Sequence, residues 1–127
     1  MQPFTVTLDT DGIIRMKLAG SLTEENKESL LATIEKAKAL VKDTAGAQHA
    51  KARVSFDLTD FTGTYNVDAM LAMKGMADHN RPFIKKTAVF GGSSLAQVAA
   101  ELTIELINDP TIKMFSTREE AESWLKL

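Results

Sequence analysis

The stretch KTAVFGGSSLAQVAAELTIELINDPTIKMFSTREEAESWLKL, residues 86–127, decides the fold class. Ala88-Val-Phe90 is the apolar centre of a strand expected over Ile84–Phe90, and Gly91-Gly92 turns the chain into an amphipathic segment. Leu95, Val98, Ala99, Leu102 and Leu106 recur at helical spacing and are expected to form that helix's buried stripe. Asn108-Asp-Pro110 stops the helix, because proline lacks the amide that would continue it. Thr111–Phe115 then reads as a short strand, and Ser116 with Glu119, or Thr117 with Glu120, supplies a capping box for a last helix. Strands that alternate with helices over so short a run imply parallel pairing through crossover helices.

Upstream of that stretch the pattern starts differently. Phe4–Leu8 alternates and is rich in β-branched residues, Asp9-Thr-Asp-Gly12 signals a turn, and Ile13–Ala19 follows as a second strand, so the pair reads as an antiparallel hairpin. Gly20 ends that strand, and Ser21 with Glu24 looks like a capping box for a helix over residues 23–44. Leu30, Ile34, Ala37 and Val41 are its expected buried face. Arg53–Leu58 begins a third strand, Thr59–Asn66 reads as a polar loop, and Val67–His79 as a second helix. Pro82 pushes Arg81 out of helical space and ends it. The expected fold is α/β, in the order ββαβαβαβα, with a five-stranded mostly parallel mixed sheet flanked by helices in a single domain over residues 1–127.

Composition narrows the function classes. A chain of 127 residues, 44% hydrophobic and 25% charged, is long enough to build one core and is ordinary for a globular domain. A net charge of −2 lacks the concentrated basic face that phosphate neutralisation needs, so nucleic acid is not an expected partner. The absence of cysteine excludes disulfides, thiolate metal sites and cysteine nucleophiles. No apolar run approaches the length of a membrane span, and Met1-Gln-Pro-Phe4 carries no secretory leader pattern. These features give the expectation of a soluble, cytoplasmic protein without cofactor.

The closing motifs, Lys85–Gly91, Met114-Phe115 and Glu119–Leu125, together with Phe56–Gly63 and Gly20–Glu24, resemble the SpoIIAA-like proteins of the STAS and CRAL-TRIO group. The resemblance spans nearly the whole chain. It implies the fold of anti-sigma-factor antagonists and the architecture of CRAL-TRIO lipid-binding domains. In the antagonists a serine in an Asp-Ser-Ser-Gly or Asp-Ser-Thr-Gly motif opens the helix after the third strand and is phosphorylated. Tyr65-Asn-Val-Asp68 stands around that place here, so the phosphorylated serine is missing.

Candidate chemistry is sparse. Gly91-Gly-Ser-Ser94 follows a strand and opens a helix, where free amides favour an anion, yet it has neither the lysine of a P-loop nor a dinucleotide fingerprint, and a serine there is also an ordinary helix cap. Asp57 and Asp60 end a strand without a histidine, serine or cysteine partner in reach, a pattern better suited to ion pairs than to catalysis. His79, Arg81, Lys85 and Lys86 make a small basic cluster, and His49 and His79 are too few for a histidine metal site. Trp124 reads as an anchor of the last helix against the sheet. Met70, Met73 and Met76 bring unbranched, polarizable side chains to one helix, suited either to core filling or to an adaptable ligand surface. The expectation is therefore a non-enzymatic binding module for a small amphipathic molecule or lipid. Phe61, Tyr65, Met70, Met73 and Phe90 would line the apolar part, with Gly92, Ser93 and Ser94 facing an anionic end. A regulatory module that binds a partner protein is the alternative, and a homodimer through an edge strand or an apolar helix face is a further expectation.

Overall fold

The computed structural model describes residues 2–127. Five strands form one sheet in the order β1-β2-β3-β4-β5: β1 (Phe4–Leu8), β2 (Ile13–Leu22), β3 (Ala52–Tyr65), β4 (Ile84–Phe90) and β5 (Ile112–Phe115). β1 and β2 are an antiparallel hairpin, and every later pairing is parallel. The intervening helices are α1 (Lys27–Gln48), α2 (Val67–Asn80), α3 (Ser94–Ile107) and α4 (Arg118–Leu125). The expected order and sheet type are both present.

Strand parity divides the molecule into two layers of packing. Ile14, Met16 and Leu18 on β2, Val54 and Leu58 on β3, and Val89 on β4 face the large core that α1, α2 and α3 cover. Ile13, Ala88 and Phe90 point the other way, onto Ala121 and Leu125 of α4. Because side chains alternate along a strand, neighbouring residues such as Val89 and Phe90 belong to different cores. Leu30, Ile34, Ala37 and Val41 of α1 are buried as their spacing predicts. Phe115 and Trp124, with ring centres 5.3 Å apart, close the smaller core.

Four local expectations are corrected. Residues 59–65, read as a polar loop, continue β3, and Phe61 and Gly63 are buried there. Polar residues occupy alternate positions in this extension, and β2 runs on beside it as far as Leu22 opposite Tyr65. The Gly20 break is thus absorbed as an irregularity of register within β2. Before α1 the capping box joins Thr23 and Asn26, not Ser21 and Glu24, and the Thr23 amide donates to Asn26 Oδ1 at 2.9 Å. The inward face of α3 is also different: Ala96 and Ala99 are buried, while Leu95, Val98, Leu102 and Leu106 are exposed. Small residues let α3 lie close to β3, so the larger ones turn outward.

Candidate functional site

A cavity of about 120 Å³, partly open to the surface, lies between the sheet and α2 and α3. Leu22, Phe61, Tyr65 and Met70 line it where β2 and β3 end, and Asn80, Ile84, Ile107 and Ile112 line it where β4 and β5 begin. Met16, Phe56 and Val89 contribute from the sheet, with Met73, Met76 and Ala100 from the helices. Close-packed interiors leave few voids larger than a water molecule, so a space of this size is a feature to explain. Its position follows from two choices in sequence. Alanines at Ala99 and Ala100 leave the inner face of α3 short, and the unbranched methionines of α2 cover the gap without filling it.

Of the residues expected to bind, Phe61, Tyr65, Met70 and Met73 do line this cavity. Phe90 does not. It lies on the opposite face of the sheet, buried in the smaller core, with the Arg118 guanidinium 5.1 Å from its ring centre. Gly92, Ser93 and Ser94 also lie outside it. Ser93 caps α3 by accepting the Ala96 amide at 3.2 Å, the ordinary role of a serine at a helix start. The end of β3 crowds the same turn: a Cβ on Gly63 would lie 2.7 Å from Ala96 N, and one on Gly92 would lie 2.8 Å from the Leu58 carbonyl.

The other face of the sheet holds a polar cleft bordered by Thr5, Thr7, Arg15, Ser55, Asp57 and Arg118. Its charges are paired with one another. Arg118 donates to Asp57 at 2.9 Å, and Asp57 also accepts the Thr59 amide and hydroxyl. Lys17 pairs with Asp60 at 2.6 Å, and the hydrogen bond to that carboxylate is the main reason its pKa is raised. For Arg15 burial works against the proton, yet hydrogen bonding and charge from Glu122, then Asp11 and Asp9, leave its pKa raised overall. Two members of the basic cluster expected near β4 are engaged with backbone carbonyls. Arg81 donates to the Asn108 carbonyl at 3.3 Å, and Lys86 donates to the Trp124 carbonyl at 2.5 Å and lies 4.8 Å from its ring centre. Burial, then the charges of Lys85 and Arg53, lower the Lys86 pKa. Asp57 and Asp60 thus serve as ion-pair partners, and among the described residues no group of three His, Asp or Glu side chains is placed to hold a metal ion.

A sequence profile of SpoIIAA-like proteins matches residues 13–126. The chain belongs to the SpoIIAA-like family. Solved structures share its fold. A protein of Shewanella loihica PV-4 with a SpoIIAA-like fold is 18% identical over 96% of this chain and 91% of its own, with a TM-score of 0.62. The anti-sigma factor antagonist SpoIIAA in its unphosphorylated form is 13% identical over 97% of both chains, and the Bacillus cell fate determinant SpoIIAA in its phosphorylated form is 16% identical over 96% of this chain and 98% of its own. Both have TM-scores of 0.53. No curated protein matches in sequence. At these identities the likeness carries the fold alone.

Within the SpoIIAA-like frame, the start of α2 is where the phosphorylated serine of the antagonists is expected. Here the capping residue is Asn66, which accepts the Ala69 amide at 2.8 Å, so no hydroxyl occupies the cap. Thr62 is engaged with Ser21 at 3.0 Å and with the Thr64 amide at 3.1 Å. Among the described cavity-lining residues, Asn80 is the one with a fully buried side-chain polar atom that lacks a partner, its Oδ1. Asn80 is the last residue of α2, one position beyond the helix end expected at His79. The signal available was an asparagine one turn beyond Met76, on the same face. No helix among the described residues is long and apolar enough to cross a membrane.

Proposed function

We propose that this SpoIIAA-like chain is a non-enzymatic, cytoplasmic binding module that holds a small amphipathic molecule between its sheet and the Met-rich helix α2. The observation that carries the reading is the cavity of about 120 Å³, lined almost wholly by apolar side chains. An engineered apolar cavity of about 150 Å³ stays dry and takes up benzene, which sets the scale of ligand that fits without movement of α2. Longer lipid chains would need α2 to shift, and methionines tolerate such repacking better than branched residues.

Filling the cavity tests this. Ala100 is half-buried on α3 and lines the space, and leucine is nearly as good a helix former as alanine. Ala100→Leu is expected to keep the fold and abolish the rise in melting temperature that toluene or a short alcohol gives the native chain. A ligand-induced rise that persists in the filled variant would place binding elsewhere and end the proposal.

A second reading, a regulatory module that docks a partner protein, is supported by the family and by Val67 and Leu71, large apolar residues exposed at the start of α2. In that case Val67→Asp with Leu71→Asp would abolish capture of the partner without changing the cavity's response to toluene. Leu95, Val98 and Leu102 of α3 are also exposed, and sedimentation over a range of concentrations tests whether they support a homodimer.

A further inference from the structure

We propose that Asn80 is the polar anchor of the cavity and restricts it to neutral ligands bearing a hydroxyl or amide, excluding carboxylates and phosphates. The inference rests on the binding reading above and specifies its ligand class. Asn80 is the last residue of α2, 1% exposed, and its Oδ1 accepts no hydrogen bond from the protein. Leaving a buried amide oxygen unpaired is costly, and native structures rarely leave that penalty uncompensated. Thr87, 8% exposed, lines the same end of the cavity and adds a hydroxyl. The opposite end, at Leu22, Phe61 and Met70, is apolar apart from the Tyr65 hydroxyl at its rim, which is half-buried. Met70 and Asn80 are separated by about 15 Å along the helix, at 1.5 Å of rise per residue. A molecule with its polar group at Asn80 and its apolar body toward Met70 matches that gradient.

The charge of the ligand follows from what is missing from the wall. None of the residues lining the cavity is Lys, Arg, His, Asp or Glu. The basic residues on either side of Asn80 in sequence, His79 and Arg81, are both exposed, and Arg81 is turned to the Asn108 carbonyl and to Asp109. A carboxylate or phosphate placed beside Asn80, which is itself 1% exposed, would lose most of its water with no counterion, which is unfavourable. A hydroxyl avoids this and can both donate and accept, so it pairs with the Asn80 amide in either orientation of that group.

The test compares 1-octanol, octanamide and octanoate with toluene on the full chain at neutral pH, by calorimetric titration and thermal melting. The alcohol and the amide are expected to bind at least about tenfold more tightly than octanoate, a gap of about 1.4 kcal/mol. Asn80→Leu is expected to weaken the alcohol and amide by at least about tenfold and leave toluene unchanged or tighter, a change of selectivity that a merely structural asparagine would not give. Equal binding of octanol and octanoate by the native chain overturns the inference without recourse to any variant. So does undiminished octanol affinity in a folded Asn80→Leu, which would make the partner of Oδ1 a bound water. In both cases continued toluene binding keeps the cavity reading intact. Failure of every probe, toluene included, removes the binding reading itself and the inference with it.

Discussion

Gly63 and Gly92 show how much rests on single atoms in this fold. Both have positive φ, 90° and 86°, and both sit where β3 and the start of α3 come within backbone contact. Gly63→Ala is expected to cost about 2 kcal/mol or more, because left-handed strain of 1–2 kcal/mol adds to a Cβ clash with fixed backbone. Gly20 is the control, since its φ is 68° but nothing lies within 4 Å of an added Cβ. Gly20→Ala should therefore lose only the strain, and urea unfolding of the two variants separates the contributions. Equal losses would mean that the contact with Ala96 gives way freely. The turn at Gly91 and Gly92 was legible in sequence, because paired glycines after a strand mark positive φ. Gly63 was not, since only its tertiary neighbour makes it necessary. The same divide runs through the candidate site. Phe61, Tyr65, Met70 and Met73 were placed by their apolar character near a Met-rich helix. Phe90 was misplaced because both faces of β4 are buried, so hydrophobicity alone leaves the parity undetermined.

The helix α3 carries the same ambiguity one level up. Its sequence is apolar nearly all round, so a helical period fits more than one face. The face that packs is the one with the smallest side chains, Ala96 and Ala99, because the end of β3 leaves no room for larger ones. Leu102→Gln, at a position 51% exposed, should change stability by no more than about 0.5 kcal/mol. Ala96→Val, at a position with 0% exposure, should cost about 1–3 kcal/mol by overpacking. Reading the stripe from spacing alone would expect the reverse order, and chemical denaturation of the two variants decides between them. A larger loss at Leu102 would show that this exposed row is covered in solution, as a homodimer requires. By contrast the buried face of α1, a single apolar stripe between charged flanks, was legible, although its ends were not: the helix runs over Lys27–Gln48 and not over residues 23–44. The continuation of β3 through residues 59–65 was not, because alternating threonines resemble a loop until Phe61 and Gly63 are seen to face inward.

At the scale of the whole molecule, one sheet is shared by two cores of unequal size. The large core beneath α1, α2 and α3 contains the cavity, and the small core beneath α4 is built from Ile13, Ala88, Phe90, Ala121 and Leu125. Adjacent residues of β4 serve different cores, so neither layer can come apart without exposing the back of the other. We therefore expect residues 2–127 to unfold as one cooperative unit. Trp124 is the only tryptophan in the chain and packs on Phe115 at the edge of the small core, so its fluorescence reports that layer alone. Far-ultraviolet circular dichroism is dominated by α1, α2 and α3. The two signals should give coincident transitions in the native chain. Leu125→Ala, at a fully buried position, should lose about 2–5 kcal/mol, as should Leu30→Ala in the large core. In each variant both signals should move together, because the lost packing is felt through the same strands. If the Trp124 signal of Leu125→Ala melted first while the circular dichroism stayed at its native midpoint, α4 would be a separable layer. The large core, with its cavity, would then be able to stand without it.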